Sequence, residues 1–156
     1  MQLTSRQDFP ADPATVHAMV TDEEFLAHAA RQMGSPDARV EATPERTRVE
    51  ASVESPPEVR SFIGPRLAIV QETTWGAAAP DGSRDGTISI TVPGAPVTLV
   101  GTARLAPTAS GSTIDYDGDL DVKIPLVGGR VEREAAPAIL DSLETQARVG
   151  RDWLTR

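Results

Sequence analysis

The stretch from Ile124 to Leu154 constrains this chain most, because a strand-like end passes through Val127-Gly128-Gly129 into one long amphipathic helix. Val131, Ala135, Ile139, Leu143, Ala147, Gly150 and Leu154 recur at steps of four or three, which puts them on one helical face. Glu134, Asp141, Glu144, Arg148 and Arg151 occupy the opposite face. At roughly 1.5 Å per residue, about 25 residues make a rod of about 38 Å, roughly twice the length of a typical strand. Only a broad, curved sheet covers the apolar side of such a rod.

The preceding residues supply that sheet. Gln2 to Asp8 alternates as a first strand and closes at Phe9-Pro10. Asp12-Pro13 reads as N-cap and first position of a short helix with Val16, Met19 and Val20 inward. Thr21-Asp22-Glu23-Glu24 opens a second helix, whose stripe is Phe25, Leu26, Ala29 and Met33 and whose end is Gly34. From Ala38 the period changes from 3.6 to 2. Arg39 to Ala42 and Arg46 to Glu54 form a hairpin, the second strand placing Thr47, Val49, Ala51 and Val53 on its dry side. Pro56-Pro57 interrupts the ladder, and Glu58 to Ile63 is expected to form one helical turn before Gly64-Pro65. Leu67 to Trp75, Thr87 to Val92, Val97 to Leu105 and Thr113 to Ile124 complete an antiparallel meander. With no repeat or linker, residues 1–156 are expected to form a single α+β domain.

Charge and composition exclude several functions. A net charge of -8 opposes binding to phosphate backbones, so no nucleic-acid partner is expected. No cysteine is present, which removes disulfides, thiolate nucleophiles and thiolate metal ligands. The chain starts without a basic and apolar leader and has no apolar run of membrane-spanning length, so a cytoplasmic protein with no membrane insertion is expected.

The candidate sites divide into solvated features and inward polar groups. Asp115, Asp117, Asp119 and Asp121 alternate on one face of the last strand, opposite Ile114, Tyr116, Gly118, Leu120 and Val122. A calcium loop starting at Asp115 would need glycine and glutamate where Leu120 and Leu126 stand, so the ladder reads as a wet strand face that discourages edge pairing. His17 and His28 share no metal-ligand spacing and read as surface residues, and no metal site or cofactor is expected. Gly128-Gly129 reads as the sharp turn into the helix rather than an anion cradle. Pro137 removes a helical hydrogen bond and is expected to kink or split the helix between Arg133 and Ala136.

Gln71 and Thr73 fall on the same strand face as Leu67, Ile69 and Trp75, where polar groups need partners. They are expected to line a pocket with Trp75, Ile90, Leu99 and Tyr116 from the sheet and Ala135, Ile139 and Leu143 from the helix. Small residues at Gly101, Gly118, Ala135 and Ala147 either leave that space or let the layers pack closer. No catalytic residue is assigned.

Phe9-Pro10-Ala11-Asp12-Pro13, Thr21 to Leu26, and a closing helix after Pro125-Leu126-Val127-Gly128-Gly129 together resemble the START-like, or polyketide cyclase, superfamily. Val92 to Val97, Ile124 to Glu132 and Trp153-Leu154 are more closely similar to a family of uncharacterised proteins from high-GC bacteria, a domain of unknown function. The resemblance implies a helix-grip fold, a seven-stranded antiparallel sheet curved around the C-terminal helix with two short helices between strands 1 and 2. It further implies a cavity for an apolar small molecule such as a lipid or polyketide. A cyclase- or hydrolase-like enzyme, with Gln71, Thr73 or Tyr116 orienting a carbonyl or water, and a ligand-free interaction module are the alternatives.

Overall fold

The computed structural model describes residues 1–57 and 59–156. In chain order the elements are β1 (Gln2–Phe9), α1 (Pro13–Val20), α2 (Glu23–Gln32), β2 (Arg39–Ala42), β3 (Arg46–Glu54) and α3 (Arg60–Ile63). They continue with β4 (Arg66–Trp75), β5 (Arg84–Thr91), β6 (Val97–Thr108), β7 (Gly111–Val122) and α4 (Gly128–Leu154). The strands form one seven-stranded antiparallel sheet in the order β1-β7-β6-β5-β4-β3-β2. The meander thus runs from β2 to β7, and β1 closes it beside β7. This is the expected helix-grip.

Local chemistry sets the element ends. Asp12 caps α1 by accepting from Thr15 N at 3.0 Å, with Pro13 at the first helical position, where a missing N–H costs nothing. Asp22 caps α2 through Glu24 N at 3.0 Å, and Glu23 and Glu24 sit at the positive end of that helix dipole. Thr21 belongs instead to the end of α1, its hydroxyl donating to the His17 carbonyl. Gly34 follows α2 at φ 90°, a backbone state that suits glycine. Of the helical turn expected from Glu58, Arg60–Ile63 is present, and Glu58 lies outside the described residues.

The last strand begins two residues earlier than its pattern suggests and ends at Val122, because Gly111 to Thr108 already pair across the hairpin. Its aspartates face outward, as expected, but Thr113 is buried and donates to the Gln7 carbonyl. Gly128 starts α4 where a Cβ would fall on the Val122 carbonyl oxygen, which makes this glycine a steric requirement of the turn, whereas a Cβ on Gly129 would meet only the ends of the Arg133 and Glu132 side chains. α4 runs unbroken through Pro137, so the expected split does not occur. Pro137 is exposed, and the Arg133 carbonyl that loses its helical partner does so on the outer side of the helix.

The core is divided. One buried cluster joins Phe9, Val16, Met19, Phe25, Trp75 and Val149 near the C-terminal half of α4. A second joins Leu3, Leu99, Leu120, Val122, Val131 and Ala136 near its N-terminal half. Ala136 and Val149 lie outside the seven-residue stripe read from the sequence, so the buried face is wider than a single row. The main packing partners of α4 are β1, β7 and α2. The inner faces of β3 and β4, on the far half of the sheet, receive less cover, and Val49, Ala51, Ile69 and Gln71 stay half-buried.

Candidate functional site

The space between those two core clusters is a cavity of about 490 Å³, within the range of about 300–1,000 Å³ typical of small-molecule sites. Its origin lies in the off-centre seating of α4. With the helix held over β1 and β7, the alternating inner residues of β3 and β4 face a gap rather than a neighbour. Thr47, Val49, Ala51 and Val53 of β3 line it, as do Leu67, Ile69, Gln71, Thr73 and Trp75 of β4. Ala135, Ile139 and Leu143 line it from α4, and Ile90, Leu99 and Tyr116 from the rest of the sheet. All nine residues expected from the sequence therefore border one space.

The small residues separate into two kinds. Ala135 borders the cavity. Gly118 borders only a minor void of about 20 Å³ next to Tyr116 and Leu143. Gly101 lies opposite Gly118 in the β6–β7 ladder, and a Cβ on it would fall on the Asp117 carbonyl oxygen. Ala147 is fully buried against neighbours. Gly101 lets adjacent strands approach and Ala147 lets the helix pack against its neighbours, and neither creates space.

The polar lining is sparse and uncharged in the interior. Gln71 and Thr73 project from the same face of β4, about 7 Å apart along the strand. Thr47 is directly opposite Thr73, and Val49 directly opposite Gln71. Tyr116 stands three strands away, in the row Trp75, Gly86, Ala103, Tyr116, so a flat sheet would separate its backbone from β4 by about 14 Å. The three polar residues proposed from sequence thus occupy two walls rather than one point.

Burial pushes the Tyr116 phenol up to about 12, and no hydrogen bond opposes or adds to that desolvation. Tyr116 therefore stays protonated at neutral pH and is a hydrogen-bond donor, not a base. Although it lies deep in the protein it is not fully enclosed by side chains, because part of its surface faces the cavity. Ser55 Oγ, outside the lining, is the one buried side-chain polar atom without a partner among the described residues, so each polar side-chain atom of the lining is either bonded or open to the cavity or solvent.

Gln7 was not anticipated. It is 4% exposed, borders the cavity, and donates its side-chain amide to the Leu143 carbonyl of α4 at 2.9 Å. Its signal in the sequence is a polar residue at the inward position between Leu3 and Phe9 of an alternating strand. His17 also departs from expectation. Rather than lying at the surface it is 7% exposed, bonded through Nε2 to the Pro44 carbonyl at 2.8 Å and set edge-on against Trp75. A carbonyl can only accept, so Nε2 carries the proton. Desolvation holds this imidazole below its ordinary value, with Arg84 adding to the effect and the Pro44 bond and Glu45 opposing it. His28 instead packs against the Trp153 ring.

Among the described residues no group of three or more His, Cys, Asp or Glu is placed to hold a metal ion, and no helix is long and apolar enough to cross a membrane.

A family model described as "Protein of unknown function (DUF2505)" matches residues 4–154. An uncharacterized protein of Mycobacterium tuberculosis is 31% identical over 91 residues, covering 57% of this chain and 52% of that protein. An uncharacterized protein of Mycobacterium bovis matches to the same extent, so the alignments span about half the length of these curated relatives. Among solved structures, a fragment of a STAR-related lipid transfer protein from Xanthomonas axonopodis superposes with a TM-score of 0.64 at 18% identity, covering 99% of this chain and 86% of that one. Ara h 8.0201 superposes with a TM-score of 0.60 at 15% identity, covering 100% of this chain and 99% of that one. At these identities the likeness is one of fold, the START-like helix-grip.

Proposed function

The chain belongs to this family of proteins of unknown function (DUF2505), and from its cavity we propose that it binds or carries an apolar small molecule, such as a lipid or polyketide, between the sheet and α4. The observation that carries this reading is the space of about 490 Å³ lined mainly by aliphatic side chains with a few neutral polar groups. Ordinary cores are close-packed, and a void this large forfeits the contacts its walls would otherwise make. An occupant of matching shape restores them. Gln71, Thr73, Trp75, Ile90, Leu99, Tyr116, Ala135, Ile139 and Leu143 are the proposed ligand-binding residues, joined by Gln7.

Among the described residues the interior lacks the pair of differently tuned acid and base groups that general acid–base chemistry needs, and Tyr116 supplies a proton donor without a base beside it. That balance supports binding over catalysis. The same fold in a STAR-related lipid transfer protein agrees with carriage of an apolar cargo. In this reading residues 1–156 act as a single START-like domain in the cytoplasm, without a cofactor and without nucleic acid as partner, in keeping with the net charge of -8.

The test is denaturing mass spectrometry of an organic extract of the protein purified from its native host, compared with an Ala135→Trp variant prepared in the same way. A small molecule present with the wild type and depleted in the variant supports the proposal. An empty wild-type protein that also fails to bind a neutral fluorescent probe, N-phenyl-1-naphthylamine, removes it.

A further inference from the structure

The charges around the cavity bear on what it accepts. Among the described residues that line it there is no lysine, arginine or histidine, and the charged ones are Glu54 and Asp141. Both are exposed, so both stand at the rim rather than inside. Glu54 is tied to Arg60 at 3.2 Å. Asp141, near the middle of α4, has no ion pair among the described residues, and the rim's uncompensated charge is therefore negative. Inside, the polar groups are neutral: the amides of Gln7, Gln71 and Gln146, the hydroxyls of Ser35, Thr47, Thr73, Ser142 and Thr145, and the Tyr116 phenol.

An anionic head group has no good position in such a site. Placed inward, a carboxylate or phosphate loses its water and meets only neutral dipoles, with no cation to compensate it. Left at the mouth, it meets the Asp141 carboxylate. A hydroxyl or carbonyl suffers neither penalty, since Tyr116 is held protonated and donates to it, while the amide oxygens and hydroxyls accept from it. We infer that the cavity selects uncharged amphiphiles, an apolar body carrying a hydroxyl or carbonyl, and discriminates against fatty carboxylates and phosphorylated lipids. This inference rests on the ligand-binding reading and narrows it.

The experiment is displacement of N-phenyl-1-naphthylamine at pH 8 by decan-1-ol and by decanoate, on the wild type and on Asp141→Arg and Tyr116→Phe, each first checked for a native circular dichroism spectrum. The wild type is expected to favour decan-1-ol by about tenfold or more. Because an alcohol also leaves water more readily than a carboxylate, the response of that ratio to the variants decides the matter. Asp141→Arg is expected to strengthen decanoate and narrow the ratio by about threefold or more, and Tyr116→Phe to weaken decan-1-ol by about two- to tenfold. A ratio that neither variant changes, or a wild type that prefers decanoate, overturns the selectivity while leaving binding intact. A wild type that binds neither probe nor competitor overturns the binding reading and the selectivity with it.

Discussion

Gln7 of β1 donates its side-chain amide to the main-chain carbonyl of Leu143, in the middle of α4, at 2.9 Å. The bond links an outer strand of the sheet to the gripped helix beside the cavity wall, and it helps keep α4 over β1 and β7 rather than centred on the sheet. A centred helix would leave no gap above β3 and β4.

Gln7→Ala is therefore expected to destabilise the fold by about 1–2 kcal/mol, the loss of a buried hydrogen bond together with side-chain packing. Gln7→Leu should cost less, because the Leu143 carbonyl keeps its helical partner and the new side chain is apolar. Urea denaturation of the three proteins checks this, and equal stability of wild type and Gln7→Ala would remove the tie from the account.

Ala135 and Ala147 look alike in sequence, yet only the first borders open space. Ala135→Trp should fold with stability near wild type, its ring entering the cavity and blocking probe binding. Ala147→Trp has no room and should lose about 3 kcal/mol or more, at or beyond the upper end of ordinary overpacking. Thermal melts paired with probe titration distinguish the two, and equal damage from both would mean that Ala135 is packed as tightly as Ala147.

Tyr116 is the single tyrosine, so ultraviolet titration of the phenol reads one group. With burial raising it to about 12, absorbance near 295 nm should stay flat through pH 10 while the protein is folded. The sign follows from linkage. A raised phenol contributes stability that is whole below the unfolded value of about 10 and declines as pH rises through the folded value. Tyr116→Phe should abolish that alkaline dependence and change stability at pH 7 by less than about 0.5 kcal/mol, since no internal hydrogen bond is lost. An ordinary titration near pH 10 in the folded protein would contradict the burial.

His17 works in the opposite direction. Its value is lowered from 6.5, chiefly by desolvation, so its neutral form favours the fold. The contribution is intact above the unfolded value and is lost as pH falls through the folded one. Stability should begin to decline below about pH 6.5, before the depressed carboxylates of Asp12, Asp81 and Glu72 start to titrate. His17→Gln should flatten the stability profile just below about pH 6.5. A wild-type profile already flat there would show that the imidazole accepts a proton without cost.

Much of the cavity lining was legible because strand alternation assigns faces without tertiary information. Gln71, Thr73 and Trp75 follow from β4, Tyr116 from β7, and Ala135, Ile139 and Leu143 from the helical stripe, and each borders the cavity. Gln7 was missed because a glutamine in a short strand looks solvated until Leu143 stands opposite it. His17 was misplaced because the turn carbonyl of Pro44, which satisfies its ring, comes from a hairpin 27 residues away. Polar residues are the ones whose burial depends on a partner, and partners are not written locally.

The sequence by itself determined the elements, their order and the amphipathic face of α4, since periodicity, caps and turns act over a few residues. It left open whether the small residues on that face meant a pocket or close contact. Tertiary structure decided this by seating α4 over β1 and β7, so that Ala135 faces space while Ala147 is packed. The physical reason is that a void belongs to the distance between layers, and that distance is set jointly by residues far apart in the chain.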